Sequence, residues 1–217
     1  MAEYRNIYFI GIGGIGMSAI ARYYNAKGFK VSGYDKTPSP LTEALENEGI
    51  EVHYEDNTDY VPKDVAETLV VYTPAIPKDM GELVYVQENG YRVIKRSRML
   101  GEISQGQRCM AVAGTHGKTT TSTLAAWLNS AAAAEGSAFL GGISTNFASN
   151  LVLGAGRRLV VEADEYDRSF LRLWPDVAVI TATDADHLDI YGTAEAMGEA
   201  FEQFAPQIKE GGSLILK

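Results

Sequence analysis

Several things are scarce or missing in this 217-residue chain, and each absence closes off a class of function. There is one cysteine, Cys109, which excludes an internal disulfide and a zinc–thiolate cluster; it lies in the apolar run CMAVAG and reads as a buried structural thiol. Positive charge is short, with 19 Lys and Arg against 28 Asp and Glu for a formal net charge of -9. Non-specific nucleic-acid binding needs clustered cations to neutralise phosphates. No nucleic-acid partner is therefore expected, and any phosphate ligand must be held locally. No stretch approaches the roughly 18 apolar residues of a membrane span. The N-terminus MAEYRNIYFIGIG enters a strand without a basic region and cleavage site, so a cytoplasmic protein with no membrane partner is expected. One glycine is also missing. The stretch AGTHGKTTT (113–121) resembles a phosphate loop, but the pattern G-x-x-x-x-G-K-[ST] calls for glycine at 112, where Val112 stands.

What is present reads as α/β. IYFIGI (7–12) is a short apolar run ending in glycines, MSAIARYYNAKG (17–28) has helical spacing with a glycine stop, and KVSGYD (30–35) is a second strand. Strand, helix and strand make a unit whose strands should be parallel. Further apolar runs at 68–76 and 91–96 extend it, and this Rossmann-like domain is expected to span 1–106. A second strand, QRCMAVAG (107–114), opens a P-loop ATPase-type α/β domain over 107–217. The helix KTTTSTLAAWLNSA (118–131) follows with Leu124, Trp127 and Leu128 on one face. Strands at 157–165 and 177–187 end in acidic residues, then come a helix over 193–212 and the strand SLILK (213–217). The chain stops inside that strand, so a longer polypeptide is expected, with this piece inactive alone.

In AGTHGKTTT, Gly114 and Gly117 let backbone N–H groups turn inward, Lys118 supplies a point charge, and the following helix adds its positive end. Thr119 or Thr120 can offer a hydroxyl to Mg2+. Thr115 and His116 stand inside the loop, with His116 read as a loop-shaping residue. The bland alternative is a strand–helix turn with no ligand. A nucleotide's metal needs further hard oxygens, which in parallel sheets come from the carboxyl ends of neighbouring strands. VVEADEYD offers Glu162, Asp164, Glu165 and Asp167, with Glu162 and Asp164 on one side if strand alternation holds. TDADHLD adds Asp184, Asp186, His187 and Asp189; any one carboxylate could be a solvated strand end and a lone His structural, but His187 sits among carboxylates, where a metal or phosphate role is open.

GIGGIG fits G-x-G-x-x-G with Gly11, Gly13 and Gly16, and Asp35 ends the next strand where a ribose-binding acid belongs. Alone this says NAD, and an NAD-dependent oxidoreductase or a non-catalytic nucleotide-binding module stays open. A dehydrogenase, however, has no use for a downstream ATP loop.

Five motifs in order, GIGGIGMSAIA, AGTHGKTTT, FLGGISTNFASN, VEADEYDRSFL and DADHLDIYG, resemble the Mur ligase family of peptidoglycan precursor synthesis. The family's ATP loop lacks the first glycine, in keeping with Val112. The resemblance implies a Rossmann-like UDP-sugar domain followed by part of a central ATP domain, with a C-terminal domain absent. It implies ATP and Mg2+ as cofactors, with UDP-N-acetylmuramate and L-alanine as substrates joined through an acyl phosphate. Gly114 through Thr120 would wrap the ATP phosphates, Lys118 would contact the outer ones, and Thr119 and Glu162 would bind one Mg2+. His187 would match a histidine at a second metal site, and Lys118, Glu162 and His187 would form the catalytic set. Gly11, Gly13, Gly14, Gly16, Met17 and Ser18 would lie against the UDP diphosphate, with Asp35, Thr73 and Ala75 nearby. Asn146 and Asn150 would face the sugar nucleotide from the central domain. One departure is TATDADH, where many members carry an Asn-x-Glu before Asp-His; Asp184 stands in for the Glu.

Overall fold

A computed structural model describes residues 4–184, 191 and 193–217. The chain divides into two compact units, Met1–Met99 and Leu100–Lys217. Both are α/β, as the alternation of apolar runs and amphipathic segments predicts. Among the described residues, no helix is long and apolar enough to cross a membrane.

The first unit is a five-stranded, all-parallel sheet in the order β3-β2-β1-β4-β5. Its strands are β1 (Asn6–Ile10), β2 (Lys30–Tyr34), β3 (Glu51–His53), β4 (Thr68–Tyr72) and β5 (Arg92–Lys95). The central strand β1 is buried from Ile7 to Ile10, as a strand covered on both faces should be. Helices α1 (Ile15–Ala26), α2 (Pro40–Asn47) and α3 (Gly81–Glu88) make the crossovers. Neither α2 nor β3 is evident from apolar runs. Helix α2 is instead written in its cap: Ser39 accepts from the Thr42 N–H, the Thr42 hydroxyl receives the Ser39 N–H, and Pro40 occupies the first turn.

One polar chain runs through this unit. Tyr8 on β1 donates to Glu82 Oε2 on α3 at 2.5 Å and lies 2.6 Å from His53 Nε2 on β3. His53 Nδ1 is 3.0 Å from the Glu55 carbonyl oxygen, and Glu82 Oε1 accepts the Asn57 N–H at 3.1 Å. The neighbouring Asp56 accepts from the N–H groups of Gly81 and Glu82, capping α3. Glu82 is fully buried. Burial pushes its carboxyl up to about 7, outweighing the hydrogen bonds that favour the ion, and burial also lowers the His53 pKa.

Helix α4 (Arg96–Gln105) leads into the second unit, a six-stranded sheet in the order β11-β10-β6-β9-β7-β8. Its strands are β6 (Arg108–Ala113), β7 (Ser137–Ser144), β8 (Ser149–Val152), β9 (Arg158–Glu162), β10 (Val177–Ile180) and β11 (Ser213–Leu216). All neighbours are parallel except β7 and β8, an antiparallel pair at one edge. Helix α5 (Lys118–Ala131) follows β6, and α6 (Ala194–Phe204) is capped by Thr193. Helix α6 ends eight residues short of the expected 212, passing into a tight turn at Ala205–Gln207 that contains Pro206. Cys109 is buried, and burial pushes its thiol up to about 12.

Candidate functional site

In the first unit, the chain leaves β1 at Gly11 with φ +87°. The Gly11 and Ile12 N–H groups donate to the Tyr34 carbonyl at 2.8 and 2.9 Å, and the Gly13 N–H donates to Asp35 Oδ2 at 2.7 Å. Helix α1 then begins with no side-chain cap and no acidic residue in its first turn, so its positive end is left uncompensated. Thr73 Cγ2 lies 2.7 Å from where a side chain on Gly11 would start, so the carboxyl end of β4 lies against the loop. Gly11, Gly13, Asp35 and Thr73 thus gather at one end of the sheet. Gly14 and Ala75 are exposed. Met17 and Ser18 are buried, and Ser18 Oγ donates to the Ile15 carbonyl.

Sequence reasoning passed over Arg96, the first residue after β5. Its Nη1 lies 2.8 Å from the Cβ position of Gly16. A cation at the carboxyl edge of a parallel sheet, beside a glycine loop, was the signal available. One Asp35 oxygen holds the loop's own backbone.

The second unit repeats this construction after β6. Gly114 (φ +125°) and Gly117 (φ +81°) take left-handed conformations, and Gly117 starts α5 without a side-chain cap or an acidic first turn. The end of β10 braces the loop. The Thr115 N–H donates to the Ala182 carbonyl at 2.9 Å, and Thr181 Oγ1 lies 2.5 Å from the His116 carbonyl oxygen. Lys118 Nζ donates to the Gly114 carbonyl and to Glu165 Oε1, both at 2.7 Å, with the Glu165 side chain fully buried. Thr119 Oγ1 donates to Glu162 Oε1 at 2.9 Å, and Thr120 is exposed. Glu162 Oε2 accepts the Gly141 N–H at 2.9 Å and lies 3.4 Å from Ser122 Oγ.

Thr119 and Glu162 therefore meet, with the Lys118 amine directed to Glu165, whereas Asp164 does not join them. Strand β9 ends at Glu162, and Asp164 Oδ1 instead accepts the Tyr166 N–H in a turn, so strand alternation never reaches it. Asn146 is exposed in the β7–β8 turn and Asn150 is buried on β8. Asp184 is exposed, and His187, with Asp186 and Asp189, lies outside the described residues. A cavity of about 530 Å³ opens beside the loop, lined by His116, Gly117, Thr121, Thr181 and Asp184 among others.

The donor set fits a magnesium nucleotide better than a bare metal. Among the described residues, no group of three or more His, Cys, Asp or Glu could hold a metal ion. Mg2+ commonly takes one or two protein oxygens and completes its shell with phosphates and water. Thr119 and Glu162 supply two such oxygens. Thr115 Oγ1 is buried without a hydrogen-bond partner, an unsatisfied atom within the loop that a phosphate could engage.

Comparison with known proteins places this geometry in context. The family model "Mur ligase family, catalytic domain" matches residues 6–108, and "Mur ligase middle domain" matches 112–217. The UDP-N-acetylmuramate--L-alanine ligase of Porphyromonas gingivalis is 57% identical over 217 residues, covering 98% of this chain and 48% of that protein. Among solved structures, the UDP-N-acetylmuramate:L-alanyl-gamma-D-glutamyl-meso-diaminopimelate ligase from Neisseria meningitides superposes with a TM-score of 0.89 at 27% identity, covering 99% of this chain and 71% of that one. The UDP-N-acetylmuramate-alanine ligase of Thermotoga maritima superposes with a TM-score of 0.86 at 29% identity, covering 97% and 48%. The chain spans about half the length of the curated relatives it matches. With two models of one family matching consecutive halves, the chain belongs to the Mur ligase family.

Proposed function

We propose that this chain is the UDP-sugar-binding domain, to about residue 106, and the leading part of the ATP-binding domain of a ligase that joins L-alanine to UDP-N-acetylmuramate. The observation that carries the reading is the meeting of Thr119 with Glu162, beside Lys118, at the uncapped start of α5. The named activity of the 57% identical relative supports the choice of substrates. The N-terminal glycine loop and Arg96 would hold the UDP diphosphate, with Asp35, Thr73 and Ala75 nearby. Asn146 and Asn150 are assigned to the sugar nucleotide from the second unit, and His187 to a second metal.

The reaction is phosphoryl transfer followed by amide formation. The lactyl carboxylate attacks the γ-phosphorus of ATP, ADP leaves, and the L-alanine amine displaces phosphate from the acyl phosphate. Such transfer needs position and charge neutralisation more than a protein nucleophile. Lys118 would place its charge on the outer phosphates, after sharing it with Glu165 in the ligand-free arrangement. Gly117 and the start of α5 would add N–H donors. Thr119 and Glu162 would hold Mg2+, which neutralises phosphate charge when bound.

The test is ADP release by the full-length protein given UDP-N-acetylmuramate, ATP and each of L-alanine, glycine, L-serine and a murein tripeptide. The reading expects turnover to be fastest with L-alanine. Turnover with the tripeptide alone would favour the activity named for the Neisseria structure instead, and NAD binding without UDP-sugar binding would overturn both.

A further inference from the structure

Gly141 lies in β7, next to the strand that carries Glu162. The β7–β9 register pairs Phe139 with Val161, and the β7–β8 register shifts between Phe139 and Ser144, so the glycines sit in an irregular stretch. An irregularity of this kind re-aims the groups beside it. Gly141 does not have a positive φ, so its backbone alone would accept any residue. What a side chain would displace is the end of Glu162: a Cβ on Gly141 would fall on that carboxylate, 2.6 Å from Oε2 and closer still to Oε1 and Cδ. Its N–H meanwhile donates to Oε2 at 2.9 Å, leaving Oε1 to Thr119 Oγ1. The next glycine provides a built-in contrast, since a Cβ on Gly142 would meet nothing within 4 Å.

We propose that Gly141 is a positioning residue for magnesium binding, its missing side chain and its N–H together fixing the Glu162 carboxylate against Thr119. The proposal rests on the reading of Thr119 and Glu162 as the metal pair. It predicts that Gly141→Ala displaces the carboxylate while leaving the rest of the loop in place. The shorter Glu162→Asp carboxylate would withdraw from the new methyl group, so the two changes should not add.

The experiment is equilibrium binding of a fluorescent ATP analogue to the full-length protein across a Mg2+ titration and in EDTA, with thermal melting of each variant. Gly141→Ala is expected to raise the Mg2+ concentration for half-maximal binding by about tenfold, in line with the loss of groups that orient metal ligands. Its affinity in EDTA and its melting temperature should stay at the parent values. Gly142→Ala should match the parent throughout, and Gly141→Ala in the Glu162→Asp background should cause little further loss. An unchanged Mg2+ requirement in Gly141→Ala, with a Mg2+-dependent parent, would overturn the positioning role alone. Equal losses with and without Mg2+ would also overturn it, marking a purely structural glycine. A parent whose binding ignores Mg2+ would overturn the metal reading and this inference with it.

Discussion

Glu82 in the first unit and Glu162 in the second are both carboxylates held by hydroxyl and backbone donors, yet their settings differ. Glu82 is fully buried and holds Tyr8, the loop at Asn57 and, through Tyr8, His53 in one chain of hydrogen bonds. Glu162 is only half-buried at the end of β9, with Thr119, Ser122 and the Gly141 N–H arrayed around it. Burial removes water as an alternative partner, so the inner carboxylate stabilises the fold only while its hydrogen bonds stay complete. Partial exposure leaves the outer one open to an incoming cation. The same side chain is buried in a hydrogen-bonded chain in one unit and half-exposed beside a glycine loop in the other.

The largest expected effect belongs to the outer site. Lys118→Ala in the full-length protein should lower turnover on the order of 10³-fold, measured as ADP release. Because that change strands buried Glu165, the Lys118→Ala/Glu165→Gln double variant separates lost phosphate binding from lost stability; turnover should stay low while melting recovers. Next, Glu82→Ala should destabilise the first unit by about 3 kcal/mol in urea unfolding, leaving the Asn57 N–H and Tyr8 hydroxyl short of a buried partner. Nucleotide binding should be untouched, and a loss there would erase the contrast between the two carboxylates. Glu162→Ala should do the reverse, weakening Mg2+-dependent nucleotide binding about 10–100-fold with little change in melting.

The smallest effect concerns protons. Three links run from the Glu55 carbonyl through His53 and Tyr8 to Glu82, and each needs one hydrogen. The carbonyl can only accept, so His53 Nδ1 faces it as a donor, and the Tyr8 hydroxyl donates to Glu82 Oε2. Burial raises the Glu82 pKa and lowers that of His53. Below 6.5 the unfolded pair carries a proton on His53, and the lowered His53 pKa opposes the raised Glu82 pKa there. Above 6.5 the unfolded pair loses that proton while folded Glu82 keeps its own up to about 7, so stability falls as pH rises through that window. The loss should be under about 1 kcal/mol. Urea midpoints from pH 5 to 8 check it, and Glu82→Gln should remove the fall.

The parts readable from sequence are those written locally. The first βαβ unit and the strand–loop–helix at 107–131 follow from apolar runs interrupted by glycines, and Lys118, Thr119 and Glu162 follow from the same pattern. The β7–β8 hairpin did not show, because Gly141 and Gly142 break its alternation and the turn between the strands contains Phe147. Leu124, Trp127 and Leu128 share a face of α5, but they are 56%, 47% and 59% exposed. Small residues, Ser122 and Ala126, are the buried ones in that helix, so bulk there is no guide to the core. Tyr8, His53 and Glu82 are far apart in sequence, and only the sheet order brings them together. Arg96 and Gly141 were likewise hidden, since each matters for what a neighbouring strand or loop presents to it.

The central claim is that the two glycine loops serve two different ligands. Calorimetric titration of the Lys118→Ala/Glu165→Gln chain with the magnesium complex of a non-hydrolysable ATP analogue, and separately with UDP-N-acetylmuramate, tests it most directly. The account predicts that nucleotide binding is lost while the UDP-sugar binds as it does to the parent; retained nucleotide binding, or loss of both ligands in a chain that still melts normally, would contradict it.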